Sequence, residues 1–191
     1  MSSFRPRTPI DRTAEPPDED EPGWTEDADP ESVARKILLD QLSIKARSRR
    51  ELEDRLARRK VPEEVASQLL DRFEEVGLVD DEAFARAWVE GRRRSRGLAR
   101  TALAVELRRK GIADETAREV LDEVEPGAEE EAARALVRKK LRSMRGLDEQ
   151  VAARRLVGML ARKGYGAGLA HAVVRSELGA VAGAEWSGDD D

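Results

Sequence analysis

The stretch from Asp71 to Ile112 reads DRFEEVGLVDDEAFARAWVEGRRRSRGLARTALAVELRRKGI. Its parts recur upstream and downstream at nearly constant offsets. A shift of 51 residues places Leu56, Arg58, Val61, Glu64, Ala66, Leu70 and Asp71 onto Leu107, Arg109, Ile112, Glu115, Ala117, Leu121 and Asp122. A further shift of 53 places Leu107, Arg109, Lys110, Gly111, Ala117 and Val120 onto Leu160, Arg162, Lys163, Gly164, Ala170 and Val173. The chain is therefore predicted to contain three units of about 50 residues.

Each unit is predicted to hold three helices. In the first unit, Asp29 and Pro30 form a helix start signal, and Ser48 and Glu51 have the spacing of a capping box. No segment alternates apolar and polar residues with β-branched enrichment, so no sheet is expected. The predicted fold is all-α, with three tandem three-helix repeats forming an elongated, curved array. Units of this size bury little apolar surface alone, so we expect them to stack.

Composition and turn signals divide the chain into five segments. Repeat 1 is predicted over residues 29–79, repeat 2 over 80–126 and repeat 3 over 127–179. Residues 1–28 are rich in proline and acidic side chains, which predicts a disordered N-terminal tail. Residues 180–191 are small and acidic and are expected to form a frayed C-terminal tail.

The low aromatic content of 4% predicts mostly aliphatic cores. Phe84 and Trp88 lie four residues apart, on one helical face, and are expected to pack against Phe73 of the preceding repeat. In the helix predicted from about Leu98 to Lys110, the side chains expected to face inward are Leu98, Ala102, Leu103, Val105 and Leu107.

Composition also excludes several classes of protein. The absence of cysteine removes disulfides and thiol catalysis, and it suits a reducing compartment. The N-terminus shows no secretory signal, and no run of about 18 apolar residues occurs. We therefore expect a cytoplasmic protein that does not interact with membranes.

The sequence offers little for catalysis. The single histidine, His171, lies beside alanines with no cysteine in the chain, and no Gly-x4-Gly-Lys-Ser/Thr nucleotide motif is present. Asp80 and Asp81 could in principle bind a metal, but their position at a helix start explains them as caps. We expect a binding protein rather than an enzyme, with neither cofactor nor metal.

Charge is distributed unevenly along the chain. The net charge is −5, but residues 1–32 carry ten acids against three arginines, and residues 185–191 carry four acids. Residues 33–184 hold 32 basic and 26 acidic residues, a net charge of +6. A basic body between acidic ends indicates a surface for nucleic acid or an acidic partner, although solvated helix faces explain the balance about equally well.

Cations concentrate at the ends of the predicted helices. The second helices end in Arg58-Arg59-Lys60, Arg108-Arg109-Lys110 and Arg162-Lys163, and stacking would align these clusters. The helix macrodipole favours one or two cations at a C-terminus, but it does not explain four arginines within five residues. We therefore predict a partner-binding basic surface, which also includes Arg92, Arg93, Arg94, Arg96, Arg100, Arg138, Lys139 and Lys140.

A longer ordered motif carries a family resemblance. It reads GLVDDEAFARAWV from Gly77 to Val89 and continues through Arg92, Gly97 and LRRKGI at 107–112. The pattern resembles the central signature of the RecX regulatory proteins, and the resemblance extends over about residues 31–178. The residues taken as its structural positions are Gly77, Asp80, Asp81, Phe84, Ala85, Trp88, Leu107, Gly111 and Ile112.

The resemblance implies an all-helical array of three-helix repeats that inserts into the groove of the RecA filament on single-stranded DNA. It further implies modulation, usually inhibition, of RecA ATP hydrolysis and strand exchange, and hence a role in homologous recombination, DNA repair and the SOS response. Single- and double-stranded DNA are further expected partners, and we expect a monomer. Two alternatives remain: a basic helical-repeat protein that binds DNA without RecA, and a scaffold with no link to nucleic acid.

Overall fold

The computed structural model describes residues 29–125, 127–144 and 146–186, and these ranges form nine α-helices and no strand. This confirms the predicted all-α class and the three-helix repeats. The helices are α1 Pro30–Ile44, α2 Arg49–Arg58, α3 Glu63–Glu75, α4 Asp81–Arg96, α5 Arg100–Arg109, α6 Asp114–Asp122, α7 Ala128–Leu141, α8 Glu149–Arg162 and α9 Ala167–Trp186.

Local capping explains where several helices begin. The Asp29 side chain accepts a hydrogen bond at the start of α1, where Pro30 lies in the first turn. The backbone N–H of Glu51 donates to the Ser48 hydroxyl at 3.3 Å, and the Ser48 N–H donates to the Glu51 carboxylate at 3.4 Å. This reciprocal pair is the predicted capping box. Of the two aspartates proposed to start α4, Asp80 is the cap.

Each repeat has its own apolar core. The first core is formed by Ala34, Leu38, Leu52, Leu56, Val61, Ala66, Leu69, Leu70, Phe73 and Val79. The second is formed by Phe84, Ala85, Val89, Leu103, Leu107, Ile112, Ala117, Val120 and Leu121. The third is formed by Ala99, Ala133, Val137, Leu156, Leu160, Tyr165, Ala170, Val173 and Val174. The first two cores are thus enclosed by three helices without a neighbouring repeat, contrary to the expectation that stacking is needed, whereas the third core includes Ala99 of repeat 2.

The aromatic contact predicted between repeats 1 and 2 is wrong. Phe73 belongs to the first core, whereas Phe84 belongs to the second and stacks on Trp88 with ring centroids 5.7 Å apart. The reason is that α6 of the same repeat covers this face of α4 with Val120 and Leu121.

Val105 was also wrongly expected to face inward, and it is exposed. Leu103 and Leu107 are four residues apart and form the buried stripe of α5. Val105 lies two residues from each of them, about 200° around the helix axis, so it faces solvent.

Repeats 1 and 2 meet at the ends of helices, in a contact we call the first joint. The Ser48 hydroxyl, at the start of α2, donates to the Lys110 carbonyl at the end of α5 across 2.7 Å. The Arg49 N–H, in the first turn of α2, donates to the Asp81 carboxylate at the start of α4 across 2.8 Å. The N-terminus of α2 is therefore closed by groups from the next repeat.

Repeats 2 and 3 meet in the same way, at the second joint. The Ala99 N–H, at the start of α5, donates to the Lys163 carbonyl at the end of α8 across 2.9 Å. The Arg100 N–H donates to the Glu129 carboxylate at the start of α7 across 3.2 Å. The 51-residue shift places Ser48 and Arg49 onto Ala99 and Arg100. The two joints are therefore structural equivalents.

The joints connect the second helices α8, α5 and α2 end to end, and we call this series the second-helix row. The C-terminus of α8 meets the N-terminus of α5, and the C-terminus of α5 meets the N-terminus of α2. Partial negative charge at one helix end thus faces partial positive charge at the next, which is favourable. Within the described residues, the row ends at Arg58, the last residue of α2.

Two glycines allow this close approach. Gly111 has φ +80°, and a Cβ atom there would lie 2.3 Å from Cβ of Arg50. Gly164 has φ +87°, and a Cβ atom there would lie 2.6 Å from the backbone nitrogen of Ala102. The equivalent residue in repeat 1 is Lys60, which also has a positive φ of 57°. A side chain is tolerated there because, among the described residues, no other repeat packs against it.

The chain ends depart from the predicted boundaries in one respect. The predicted end of repeat 3 at residue 179 lies within α9, which continues to Trp186. The predicted N-terminal tail, residues 1–28, and residues 187–191 lie outside the described residues.

From the geometry of the second joint, we predict that a methyl group at Gly164 lowers the free energy of unfolding. Gly164→Ala combines left-handed backbone strain with overlap against Ala102, whereas Gly77→Ala, at φ +73°, meets no atom within 4 Å. We expect Gly77→Ala to lower the free energy of unfolding by about 1–2 kcal/mol and Gly164→Ala to lower it by a further 1–3 kcal/mol or so. Denaturant unfolding of both variants measures the difference, and equal losses would contradict the joint geometry.

Candidate partner-binding surface

Three equivalent arginines occupy the ends of the second-helix row. Arg58, Arg109 and Arg162 are the last residues of α2, α5 and α8, and all three are exposed. Within the described ranges, none has a carboxylate at ion-pair distance. The joints leave one ten-residue helix, about 15 Å long, between successive arginines. The row thus presents a regularly spaced set of accessible positive charges.

The neighbouring cations in these clusters are engaged differently. Lys110 donates to the Glu51 carboxylate at 2.6 Å in the first joint, and Lys163 donates to the carbonyl of Arg96 in the second. Arg108 pairs with Asp114 at 3.1 Å, but both side chains are more than two-thirds exposed, so the pair contributes little. Of the remaining two, Arg59 is half-buried and Lys60 is exposed.

The basic cluster that ends α4 is largely neutralised by nearby acids. Arg92 donates to the Glu106 carboxylate at 2.9 Å, and Arg96 lies 3.9 Å from the same group. Glu106 also accepts a hydrogen bond from the Trp88 indole at 2.8 Å, and the Arg92 guanidinium lies 4.1 Å from the centre of that ring. Arg94 pairs with Glu90, one turn earlier in the helix.

Arg93 is the exception in this cluster, with no carboxylate partner in the part of the chain that the structure describes. The density of arginines at the end of α4 therefore overstates the positive charge that a partner would meet.

Arg100 stabilises the second joint. Its guanidinium pairs with Asp122 and donates to the Leu121 carbonyl at 3.0 Å. Arg49 makes the equivalent pair with Asp71 at 2.7 Å. Both arginines hold the third helix of their repeat against the start of the second helix, so their guanidinium groups are occupied within the fold.

The cations of α7 also divide into residues paired with an acid and residues that are exposed without an acidic partner among the described residues. Arg138 donates to the Glu177 carboxylate at 2.7 Å, and Arg134 reaches the same buried group at 3.1 Å. Hydrogen bonds from Arg138 and Arg134 lower the pKa of Glu177, and they outweigh its desolvation. Lys139 and Lys140 are exposed and have no acidic partner among the described residues.

The residues of the sequence motif are structural. Phe84, Ala85, Leu107 and Ile112 lie in the second core, and Trp88 packs at its edge. Gly77, at φ +73°, ends the helical turn after α3. Asp81 accepts the joint hydrogen bond from Arg49, and burial raises the pKa of its carboxyl. Gly111 permits the close approach at the same joint.

Sequence reasoning did not predict that Glu51, Glu106 and Glu177 hold these cations or that Glu129 accepts the N–H of Arg100, and it missed Tyr165. The Tyr165 hydroxyl donates to the Gly97 carbonyl at 3.2 Å, and burial raises its pKa to about 12. One signal was available: the 51-residue shift places both Arg49 and Asp71 onto Arg100 and Asp122, which is the pattern of a repeated ion pair.

Among the described residues, no group of three or more His, Cys, Asp or Glu side chains could hold a metal ion. None of the described helices is both long and apolar enough to cross a membrane.

The fold and this geometry define a helical-repeat protein of three-helix units joined through helix ends, with exposed cations at equivalent positions. Family models describe the same units: "RecX, first three-helix domain" matches residues 34–73, the second such domain matches 80–121 and the third matches 128–174. The chain belongs to the RecX family of regulatory proteins.

Individual relatives agree with this assignment. The regulatory protein RecX of Thermobifida fusca is 52% identical over 76% of this chain and 78% of its own. That of Mycolicibacterium smegmatis is 45% identical over 93% of this chain and 95% of its own. A crystal structure of RecX from Lactobacillus salivarius has a TM-score of 0.70, covers 78% of this chain and 96% of its own, and is 20% identical, which shows a shared fold.

The buried Glu177 predicts a pH-dependent stability of repeat 3. Its pKa is lowered in the folded state, so its contribution is present above the unfolded carboxyl pKa of about 4.3 and is lost as pH falls through the lower folded value. We expect Glu177→Gln to lower Tm by about 2–6 °C at pH 7 and by much less at pH 3. Thermal unfolding at both pH values checks this.

The exposed Glu119, in α6, supplies the control, because it has no ion pair within the described ranges. Glu119→Gln should leave Tm nearly unchanged at both pH values. An equal effect of Glu177→Gln at pH 7 and pH 3 would contradict the assigned role of the arginine pair.

Proposed function

We propose that this protein binds the RecA filament on single-stranded DNA and inhibits its ATP hydrolysis and strand exchange, through the second-helix row. The observation that carries the proposal is the triad Arg58, Arg109 and Arg162. These are equivalent, exposed cations with one ten-residue helix, about 15 Å long, between each and the next, and with no acidic partner in the described structure. Membership of the RecX family supports a regulatory role for the chain.

The row suits a polymeric partner. A filament presents the same acidic groups or phosphates at regular intervals, and a set of cations at fixed spacing can contact several of them at once. Because each exposed contact contributes little alone, affinity depends on making several simultaneously. Because the helix joints already fix the positions of the three arginines, binding loses little conformational entropy of the backbone.

A direct DNA-binding function without RecA is the second candidate, since the same cations would contact phosphates. The two functions differ in what the protein does to RecA. RecA-catalysed ATP hydrolysis on single-stranded DNA, measured with and without the protein, tests the first directly. We expect half-maximal inhibition well below one molecule per RecA, because a bound regulator affects many subunits of a filament. Unchanged hydrolysis at excess protein would favour direct DNA binding alone.

The arginine triad gives the sharpest mutational test. Replacing Arg58, Arg109 and Arg162 by glutamine should raise the concentration for half-maximal inhibition roughly tenfold, since three exposed contacts of up to about 1 kcal/mol each are removed. If they contact phosphates of a single strand, the salt dependence of free-DNA binding should also fall by about 2 in slope.

The matched control removes the same charge from other helices. Lys36, Arg118 and Arg175 lie on α1, α6 and α9, one in each repeat, and are exposed without an acidic partner in the described parts of the chain. Their triple glutamine variant should inhibit RecA as the wild type does. If the two triple variants lose inhibition equally, total charge and not the row is responsible.

The acidic N-terminal segment is predicted to compete for these cations. Residues 1–32 carry a net charge of −7 beside a body of +6. Deleting residues 1–28 should tighten DNA binding, most visibly at low salt, where screening is weak. A full-length variant with Asp18, Glu19, Asp20 and Glu21 changed to amides separates charge from chain length. Equal affinity of all three forms at low ionic strength would assign the segment no competing role.

A further inference from the structure

The two joints differ in what holds them, although their backbone contacts are equivalent. At the second joint, Ala99 of repeat 2 is part of the third core, and the Leu136 side chain packs on Gly97, where a Cβ atom would lie 3.0 Å from it. Tyr165 adds a hydrogen bond to the Gly97 carbonyl. Repeats 2 and 3 are therefore joined by apolar as well as polar contacts.

The first joint has no such apolar contribution among the described residues. The first core contains residues 34–79 only and the second contains residues 84–121 only, so no buried apolar side chain is shared. Its polar contacts include the Ser48 hydroxyl donating to the Lys110 carbonyl, the Arg49 N–H donating to the Asp81 carboxylate, and the ion pair of Lys110 with Glu51, and the Arg50 side chain packs against Gly111. A joint without a shared apolar core depends more on its ionic contact, which salt weakens.

Lys110 is central to this joint. Its ammonium group lies 2.6 Å from the Glu51 carboxylate and 4.6 Å from the centre of the Trp88 ring, while its carbonyl accepts the Ser48 hydrogen bond. Both members of the ion pair are about three-quarters buried. Burial raises the pKa of Glu51, but the hydrogen bond and charge of Lys110 outweigh this, and the net shift is downward. The ion pair is thus a strong contact between repeats.

We propose that Lys110 is a positioning residue and not a partner-binding cation: its contacts with Glu51 and Trp88 form a latch that fixes repeat 1 against repeat 2. When the latch opens, repeat 1 moves as a body, because its own core stays closed, while repeats 2 and 3 remain one unit. The latch sets the direction in which α2 and Arg58 extend from the rest of the row. This inference concerns the isolated protein and does not depend on the partner.

Pulsed electron–electron distance measurements test the latch directly. The chain has no cysteine, so spin labels attach only where cysteine is introduced. Gln68→Cys in α3 with Arg118→Cys in α6 spans the first joint, and Arg118→Cys with His171→Cys in α9 spans the second; all three positions are exposed. We expect Lys110→Met to cause loss of the single narrow distance peak across the first joint and no change across the second.

Matched variants separate the latch from general effects of charge. Arg109→Met removes the neighbouring exposed cation and should leave both distance distributions unchanged. Lys110→Arg keeps the charge and should restore the narrow peak. Glu51→Gln retains a capping-box side chain but removes the ion pair, so it should loosen the first joint as Lys110→Met does. In the doubly labelled protein that keeps Lys110 and Glu51, 1 M salt should broaden the first-joint peak.

Three outcomes would overturn the proposal: an unchanged first-joint distance in both Lys110→Met and Glu51→Gln, equal broadening across the two joints, or equal broadening in Arg109→Met. Helical content measured by circular dichroism on the same samples identifies a variant that has unfolded. In that case, the effect of salt on the labelled protein with Lys110 and Glu51 intact decides: an unchanged first-joint distance in 1 M salt would overturn the proposal. Failure of RecA inhibition would leave these distances untouched, so the latch and the proposed function are tested separately.

Discussion

The first N–H groups of an α-helix have no acceptor within the helix, and this requirement organises the connection between repeats. In α2 and α5, the first turn donates to a carboxylate from the start of the next repeat, Asp81 in one case and Glu129 in the other. The residue before the first turn bonds to the carbonyl that ends the next second helix. Helix ends therefore meet helix ends, and the row of second helices follows from that pairing.

The same arrangement sorts the cations of the chain into two groups. Cations at the joints, such as Arg49, Arg100 and Lys110, are bound to acidic groups of the protein and maintain its shape. Cations one residue before a joint, such as Arg109 and Arg162, are exposed and have no carboxylate partner among the described residues. Along the second-helix row, position relative to a helix end thus separates the cations that are paired within the fold from those that are exposed without a carboxylate partner.

The fold was largely predictable because its signals are local. Capping residues, glycine helix ends and the shifts of 51 and 53 residues lie within the sequence itself, and they give the three-helix units directly. Pairing of charges was not predictable to the same degree, since Lys110 meets Glu51 from 59 residues away and Arg138 meets Glu177 from 39 away. The separate cores of repeats 1 and 2 were also missed, because the sequence does not reveal that α6 closes over Phe84 within its own repeat.

The central claim is that the second-helix row faces the partner, and site-specific photo-crosslinking tests it most directly. A photoreactive amino acid is placed at position 109, on the row, or at position 118, equally exposed on α6 of the same repeat. Each protein is then irradiated with RecA assembled on single-stranded DNA. The account predicts crosslinks to the filament from position 109 and few from position 118. Crosslinking mainly from position 118 would place the partner on the opposite helices and contradict the account.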